Sequence, residues 1–337
     1  MESTIFQKIE AHLHNHHTGA WTGTFREYLA LVLKQPALVQ RAHARLYNMI
    51  KAAGVAVDEE GKERYTFFEH DLFGIDEPLA RVVEYFKAAA LGSDVGRRVL
   101  LLYGPPSSGK SQLAVLLKRG LEAYTQTEAG AVYAIADCPQ HEEPLDLMPH
   151  ALRREFQEET GIHVEGELCP LCALHLRDKY QGDIYRVPVK QIFFSEKERL
   201  GIGTFVPSDP KSQDISELVG SIDLSTVGDY GSESDPRAYR FDGELNVSNR
   251  GLMEFIEMLK ADERFLYVLL TLSQEKNIKT GRFPLIYADE CVISHTNETE
   301  FSEFLGNKKS EALHDRMIMV RMPYNLHVSQ EEQIKRL

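Results

Sequence analysis

Eight consecutive residues carry the strongest chemical signal in this chain. Gly104, Pro105, Pro106, Ser107, Ser108, Gly109, Lys110 and Ser111 satisfy every fixed position of the pattern G-x-x-x-x-G-K-[ST]. That spacing is suited to binding phosphate. Glycines let successive backbone N–H groups turn inward onto phosphate oxygens, and the start of a following helix adds a favourable dipole. The Lys110 ammonium can reach the outer phosphates, and the Ser111 hydroxyl can ligate Mg²⁺. The flanks agree with this. Val99 to Tyr103 (VLLLY) is an apolar run of strand length, and Leu113, Leu116, Leu117 and Leu121 recur at helical spacing behind the loop.

Hydrolysis of a bound nucleoside triphosphate also needs a carboxylate on a second strand, near the metal and the attacking water. Asp289-Glu290 follows the apolar Leu285-Ile-Tyr-Ala and is one candidate. Ring-type ATPases also place a polar residue on the next core strand, and Asn297 ends such a strand (Val292 to Thr296). Asn297 is only eight positions after Asp289. A crossover between parallel strands takes roughly ten or more residues by itself, which argues against Asp289. Gly251 to Met258 (GLMEFIEM) is better placed, with Asn297 forty positions after Glu257. Glu257 is therefore favoured as the water-activating carboxylate, with Glu254 as its neighbour. An amphipathic helix with solvent-facing acids is the alternative for this segment, and Asp289 is the runner-up.

Cysteine and histidine supply a second constellation. Cys138-Pro-Gln-His141 and Cys169-Pro-Leu-Cys172 are two x₂ pairs, 27 residues apart. Two such knuckles make a tetrahedral site, so the four residues are candidate ligands of a structural Zn²⁺. Reduced, partly buried thiols with His141 as a bystander are the alternative. A looser cluster, His12, His14, His16 and His17, lies near the N-terminus.

The elements that must position these groups follow from pattern and length. The 337 residues suggest about two domains. Hydrophobic content of 43% and charged content of 26% describe a globular protein. No apolar run approaches the roughly 20 residues that span a bilayer, and the mixed polar N-terminus is no secretory signal, so a cytosolic location is expected. In that setting the four cysteines are not expected to pair as disulfides. The net charge of −13, from 51 acidic and 38 basic residues, disfavours nucleic acid as the main partner.

Residues 1–68 read as an N-terminal helical extension, with a capping box at Thr24-Phe-Arg-Glu27 and a second apolar stretch from Leu38 to Ile50. Residues 69–337 read as the nucleotide module, in which Gly130 to Ile135 forms a second buried strand. A long insertion, about 136–239, holds an acidic helix near 152–160, a strand at Ile192 to Phe194 and a loop from Gly201 to Asp214. The terminal Gln330 to Leu337 reads as an unfinished helix, as if the chain were part of a longer protein.

Taken together, these motifs resemble the PrkA-type serine protein kinases. The resemblance rests on Ala42 to Ile50 (AHARLYNMI), GPPSSGKS, Phe205 to Asp214 (FVPSDPKSQD) and Asn249 to Met258 (NRGLMEFIEM), and also on His295 to Glu300 and Asn307 to Leu313. It covers nearly the whole chain, but only the first part of that family; the family's C-terminal region, assigned the kinase activity, is absent. The resemblance implies an α/β P-loop module of the AAA+ class, a three-layer fold around a parallel sheet. It implies Mg·ATP as cofactor, Asn297 as sensor of the terminal phosphate, and Arg316 as an arginine finger. A finger acts across a subunit boundary, which requires a ring homo-oligomer working on a protein partner. Ile256 stands where the usual pattern has a metal-linked Asp. Protein serine kinase activity is implied by the family name alone, since the chain has no H-R-D or D-F-G segment.

Overall fold

Five short, largely apolar runs converge on one parallel sheet, because strands buried on both faces cannot alternate apolar with polar. The structure is a computed structural model and describes residues 20–57, 61, 63–207, 214–281, 283–307 and 311–324. The strands used below are β1 (Thr22–Thr24), β2 (Val99–Tyr103), β3 (Val132–Ile135), β4 (Pro188–Ile192), β5 (Ile202–Phe205), β6 (Leu252–Ile256), β7 (Cys291–Thr296) and β8 (Met317–Arg321). The helices are α1 (Phe25–Lys34), α2 (Ala42–Ala52), α3 (Asp76–Ala90), α4 (Lys110–Thr125), α5 (His150–Thr160), α6 (Pro170–Asp178), α7 (Glu263–Glu275) and α8 (Glu298–Gly306).

The main sheet has the order β8-β2-β7-β6-β5, and every neighbouring pair is parallel. Side chains alternate across a strand, so β2 feeds two separate cores. Val99 and Leu101 join Met253, Phe255 and Val292 on one face, which α7 covers with Phe265, Leu269 and Leu272. Leu100 and Leu102 join Leu252 and Ile293 on the other, which α2, α3 and α4 cover with residues such as Leu46, Phe86 and Leu117. The result is the three-layer α/β arrangement expected from the sequence.

Two strand expectations change. Val132–Ile135 is a buried strand but lies outside the main sheet. It pairs antiparallel with β4, which pairs antiparallel with β1, in a separate three-stranded sheet. The edge of the main sheet is β5, inside the segment read from sequence as loop. Its four residues contain a glycine and are followed by Val-Pro-Ser-Asp-Pro, which hides the strand signal. Gly203 is needed there because a Cβ would come within 2.7 Å of the Glu244 carbonyl oxygen.

The N-terminal helices contribute to the same two cores. The capping box forms at α1, where the Glu27 amide donates to Thr24 Oγ1 at 3.4 Å and the Thr24 amide to Glu27 Oε2 at 2.7 Å. Phe25, Tyr28 and Val32 then bury in the core that contains Leu101. Ala42, Leu46, Met49 and Ile50 of α2 bury in the core that contains Leu100. The acidic helix expected near 152–160 is α5. The histidine cluster at 12–17 and the terminal 330–337 segment lie outside the described residues. Among the described residues no helix is long and apolar enough to cross a membrane.

Candidate nucleotide-binding site

In open parallel sheets ligands bind beyond the carboxyl ends of the strands, and three neighbouring strands end together here. After β2 the chain turns sharply at Gly104, whose φ is +154° and where a Cβ would sit 2.1 Å from the Met322 carbonyl oxygen. No side chain fits at that point. The loop passes through a left-handed Ser107 and enters α4 at Gly109, again left-handed at φ +84°. Lys110 and Ser111 thus occupy the first turn of a sixteen-residue helix, with its orphan N–H groups and dipole at their back.

The Lys110 ammonium spans the loop, donating to the carbonyl oxygens of Gly104 (2.8 Å) and Pro105 (2.6 Å) and to Ser108 Oγ (3.1 Å). Partial burial lowers its pKa from the usual lysine value, against the pull of the nearby Glu298 carboxylate. Such an ammonium is held at the mouth of the loop, in a position to exchange carbonyl partners for phosphate oxygens.

The other wall comes from the ends of β6 and β7. Pro106 to Gln112, Glu257, His295, Thr296 and Asn297 line a cleft of about 470 Å³. That lies within the roughly 300–1,000 Å³ typical of small-molecule sites. Glu257 follows β6 in the left-handed conformation (φ +49°), and its amide donates to the His295 carbonyl oxygen at 3.1 Å. Its carboxylate is half-exposed and ion-paired with Lys260 at 2.5 Å. Asn297 follows β7 as the N-cap of α8, with Oδ1 accepting from the Glu300 amide at 2.9 Å. The cap uses the oxygen, so what the side chain can still offer is its NH₂ donor.

Two carboxylates weighed from sequence are set apart from the cleft. Asp289 is buried beside α2, accepting from the Ala42 amide at 2.9 Å with Lys276 at 3.5 Å. Glu254 is on β6 but turned into the interior, where Oε2 lies 2.5 Å from Lys118 Nζ and Oε1 3.1 Å from His295 Nε2. Lys118 also holds Glu196 (2.6 Å) and Thr204 Oγ1 (2.7 Å). Burial pushes the Glu254 pKa up, but the bonds from His295 and Lys118 outweigh it and leave the carboxyl below its usual range. Sequence reasoning missed this network. A lysine on an amphipathic helix ordinarily reads as solvent-facing, and its partners are far away in the chain.

Arg316 is remote from this cleft. It immediately precedes β8, and its carbonyl accepts from the Val99 amide at 2.9 Å, at the start of β2. The loop lies at the other end of β2, roughly 13 Å or more away at strand rise. The guanidinium donates to the Ala312 carbonyl oxygen.

The cysteine quartet assembles with one correction. Cys138, Cys169 and Cys172 come together, and the fourth member is Glu142, with the ligand atoms all within 4.8 Å of one another. His141, in a left-handed turn (φ +54°) with Nδ1 2.9 Å from the Cys138 carbonyl oxygen, is not among the residues whose ligand atoms meet. The x₂ spacing suggested the histidine, but the turn presents its neighbour. This group could hold a metal ion.

Comparison with known proteins now bears on the same residues. The PrkA AAA domain family matches residues 23–336. The chain belongs to the PrkA AAA domain family. It is 57% identical over 331 residues to "ATP-dependent protease PrkA" of Bacillus subtilis (strain 168), covering 98% of this chain and 52% of that protein. It is 31% identical over 318 residues to "Serine/threonine kinase YeaG" of Escherichia coli (strain K12), covering 91% of this chain and 47% of that one. The chain thus spans about half the length of these curated relatives. Among solved structures, a magnesium chelatase BchI–BchD complex aligns at 18% identity and TM-score 0.41, over 74% of this chain and 62% of that one. As a PrkA AAA domain the chain carries the parallel sheet, the glycine loop and the helix that follows it.

Proposed function

We propose that this PrkA AAA domain binds Mg·ATP in the cleft at the ends of β2, β6 and β7 and hydrolyses it slowly, driving change in a protein partner. One observation carries the reading: a single cleft gathers Lys110 and Ser111 with Glu257 and Asn297. Phosphate oxygens take the loop amides and the Lys110 ammonium. Ser111 Oγ supplies a ligand for Mg²⁺, which offsets charge on the phosphates when bound. The Asn297 NH₂ meets the terminal phosphate or the attacking water, and Glu257 takes the proton of that water. Arg316 is too far from its own cleft to act there, which favours action on a neighbouring subunit's nucleotide in a ring. A cytosolic setting suits both ATP and reduced thiols.

A second reading has its own support. Ile256 replaces the acid that usually steadies Mg²⁺, and Lys260 holds the Glu257 carboxylate. Both features favour an assembly switch that binds ATP with little turnover. Transfer to a protein serine rests on the name of one relative, while another is named a protease.

The test is ATP binding and phosphate release by the full chain with Mg²⁺, beside Lys110→Ala and Glu257→Gln. Measurable release that disappears in Glu257→Gln with binding intact supports hydrolysis. Binding without release leaves the switch. No Mg-dependent ATP binding overturns both.

A further inference from the structure

We propose that Cys138, Glu142, Cys169 and Cys172 form a closed four-coordinate zinc site that fastens the loop after β3 to the first turn of α6. The nucleotide cleft does not use these residues.

The donor set comes first. Three thiols and one carboxylate, all buried to 4% exposure or less, place one ligand atom each within 4.8 Å of the rest. Zn–S bonds of about 2.3 Å in tetrahedral geometry set neighbouring ligand atoms about 3.8 Å apart, which fits inside that span. A multi-iron cluster inserts its own irons and sulfides between the cysteines and needs a wider cage. Three sulfurs favour a soft ion over Mg²⁺ or Ca²⁺.

Charge is the second argument. Glu142 is 1% exposed, and among the described residues it has no ion pair with lysine or arginine. Its contacts are Cys138 Sγ at 3.3 Å and the Cys169 amide. A carboxyl buried among thiols is either kept protonated or joined by a cation. A divalent ion supplies that cation and takes the carboxylate and the three sulfurs as its ligands.

Local structure completes the case. Cys169 is the N-cap of α6, its sulfur accepting from the Cys172 amide at 3.4 Å. On the other side, a tight loop from Ile135 to Glu142 returns on itself, with the Ile135 amide donating to the Glu142 carbonyl oxygen at 3.2 Å. Four protein ligands leave no open position, so the role is structural: the site closes the segment between Glu142 and Cys169.

The test is metal analysis of the full chain purified without added metal and desalted against a chelator. Stoichiometric zinc is expected, retained by His141→Ala and lost by Glu142→Ala and Cys169→Ser. If the last two fail to fold, cobalt exchanged into the unaltered chain gives the same answer. Tetrahedral bands with thiolate charge transfer support the site. Metal-free protein with three reactive thiols, a disulfide among them, or loss of zinc in His141→Ala while Glu142→Ala retains it, overturns the proposal.

Discussion

Lys118 Nζ on α4 lies 2.5 Å from Glu254 Oε2 on β6, and both side chains are almost wholly buried. The pair ties the helix that follows the phosphate loop to the strand that leads to Glu257. Through His295, which bonds Glu254 and lines the cleft, it also touches the site itself. Removing one member of a buried ion pair strands the other, at a cost of roughly 3–5 kcal/mol. Lys118→Met therefore destabilises the chain by about that much in chemical denaturation, because Glu254 is left with the His295 hydrogen bond and without its lysine. Glu254→Gln costs less, since Lys118 keeps Glu196 and the amide still bonds His295. Equal costs for the two variants would contradict this account.

Glu257, three positions on, is half-exposed and, among the described residues, ion-paired with Lys260 alone. Glu257→Gln changes stability by no more than about 0.5 kcal/mol, as for an ordinary surface site. It lowers phosphate release by about 10²–10⁴-fold, the usual share of a general base. The contrast with Glu254 would separate a carboxylate that acts in the cleft from one on β6 that only holds the fold. Paired denaturation and phosphate-release measurements on both variants read it directly.

The phosphate loop and its flanking strand and helix were legible in the sequence because that signal is local. So was the strand next to β7, which needed only chain length: a crossover does not fit in the eight positions from Asp289 to Asn297, and the structure puts β6 beside β7 with Glu257 lining the cleft. What failed was non-local. Val132–Ile135 reads as a core strand by composition, yet which sheet it joins depends on β4, more than fifty residues on. Lys118 and Glu254 show no pattern until the fold closes. His141 rather than Glu142 followed from counting spacings, and a left-handed turn reverses which side chain faces inward.

Gly104 tests the loop's backbone. An alanine there meets the Met322 carbonyl oxygen, a rigid neighbour, at φ +154°. At Gly109 (φ +84°) an added Cβ meets only the tips of Leu72 and Ile75 at 3.3 and 3.4 Å, and at Gly161 (φ +75°) nothing within 4 Å. Left-handed strain alone costs about 1–2 kcal/mol. The melting temperatures should fall in the order Gly161→Ala, Gly109→Ala, Gly104→Ala, the last being lowest by a clear margin. Thermal unfolding of the three variants checks the ranking.

Arg316 gives a test by mixing. Arg316→Ala should lose turnover yet bind ATP normally, since its cleft is intact. Glu257→Gln should be equally inactive for the opposite reason. A mixed ring pairs an intact cleft with an intact guanidinium from its neighbour, so combining the two inactive proteins restores part of the phosphate release. A mixture as inactive as its components would show that Arg316 does not act between subunits.

Glu290 makes stability depend on pH. It is buried and bonded to the Ser248 hydroxyl, with Oε1 unpartnered among the described residues and Asp289 adjacent. Burial, with the neighbouring Asp289 charge, raises its pKa from 4.5 to about 8 despite the Ser248 bond. A carboxyl raised in the fold binds its proton more tightly folded than unfolded. Its contribution is therefore fully present below about pH 4.5 and is lost progressively as pH climbs through about 8. Glu290→Gln cannot ionise and keeps an oxygen for Ser248. The variant should match the parent near pH 5 and exceed it increasingly toward pH 8, by up to about 4 kcal/mol. Denaturation of both proteins across that range measures the difference, in which the other titrating groups cancel. A gap that stays flat with pH would mean that Glu290 does not titrate in the fold.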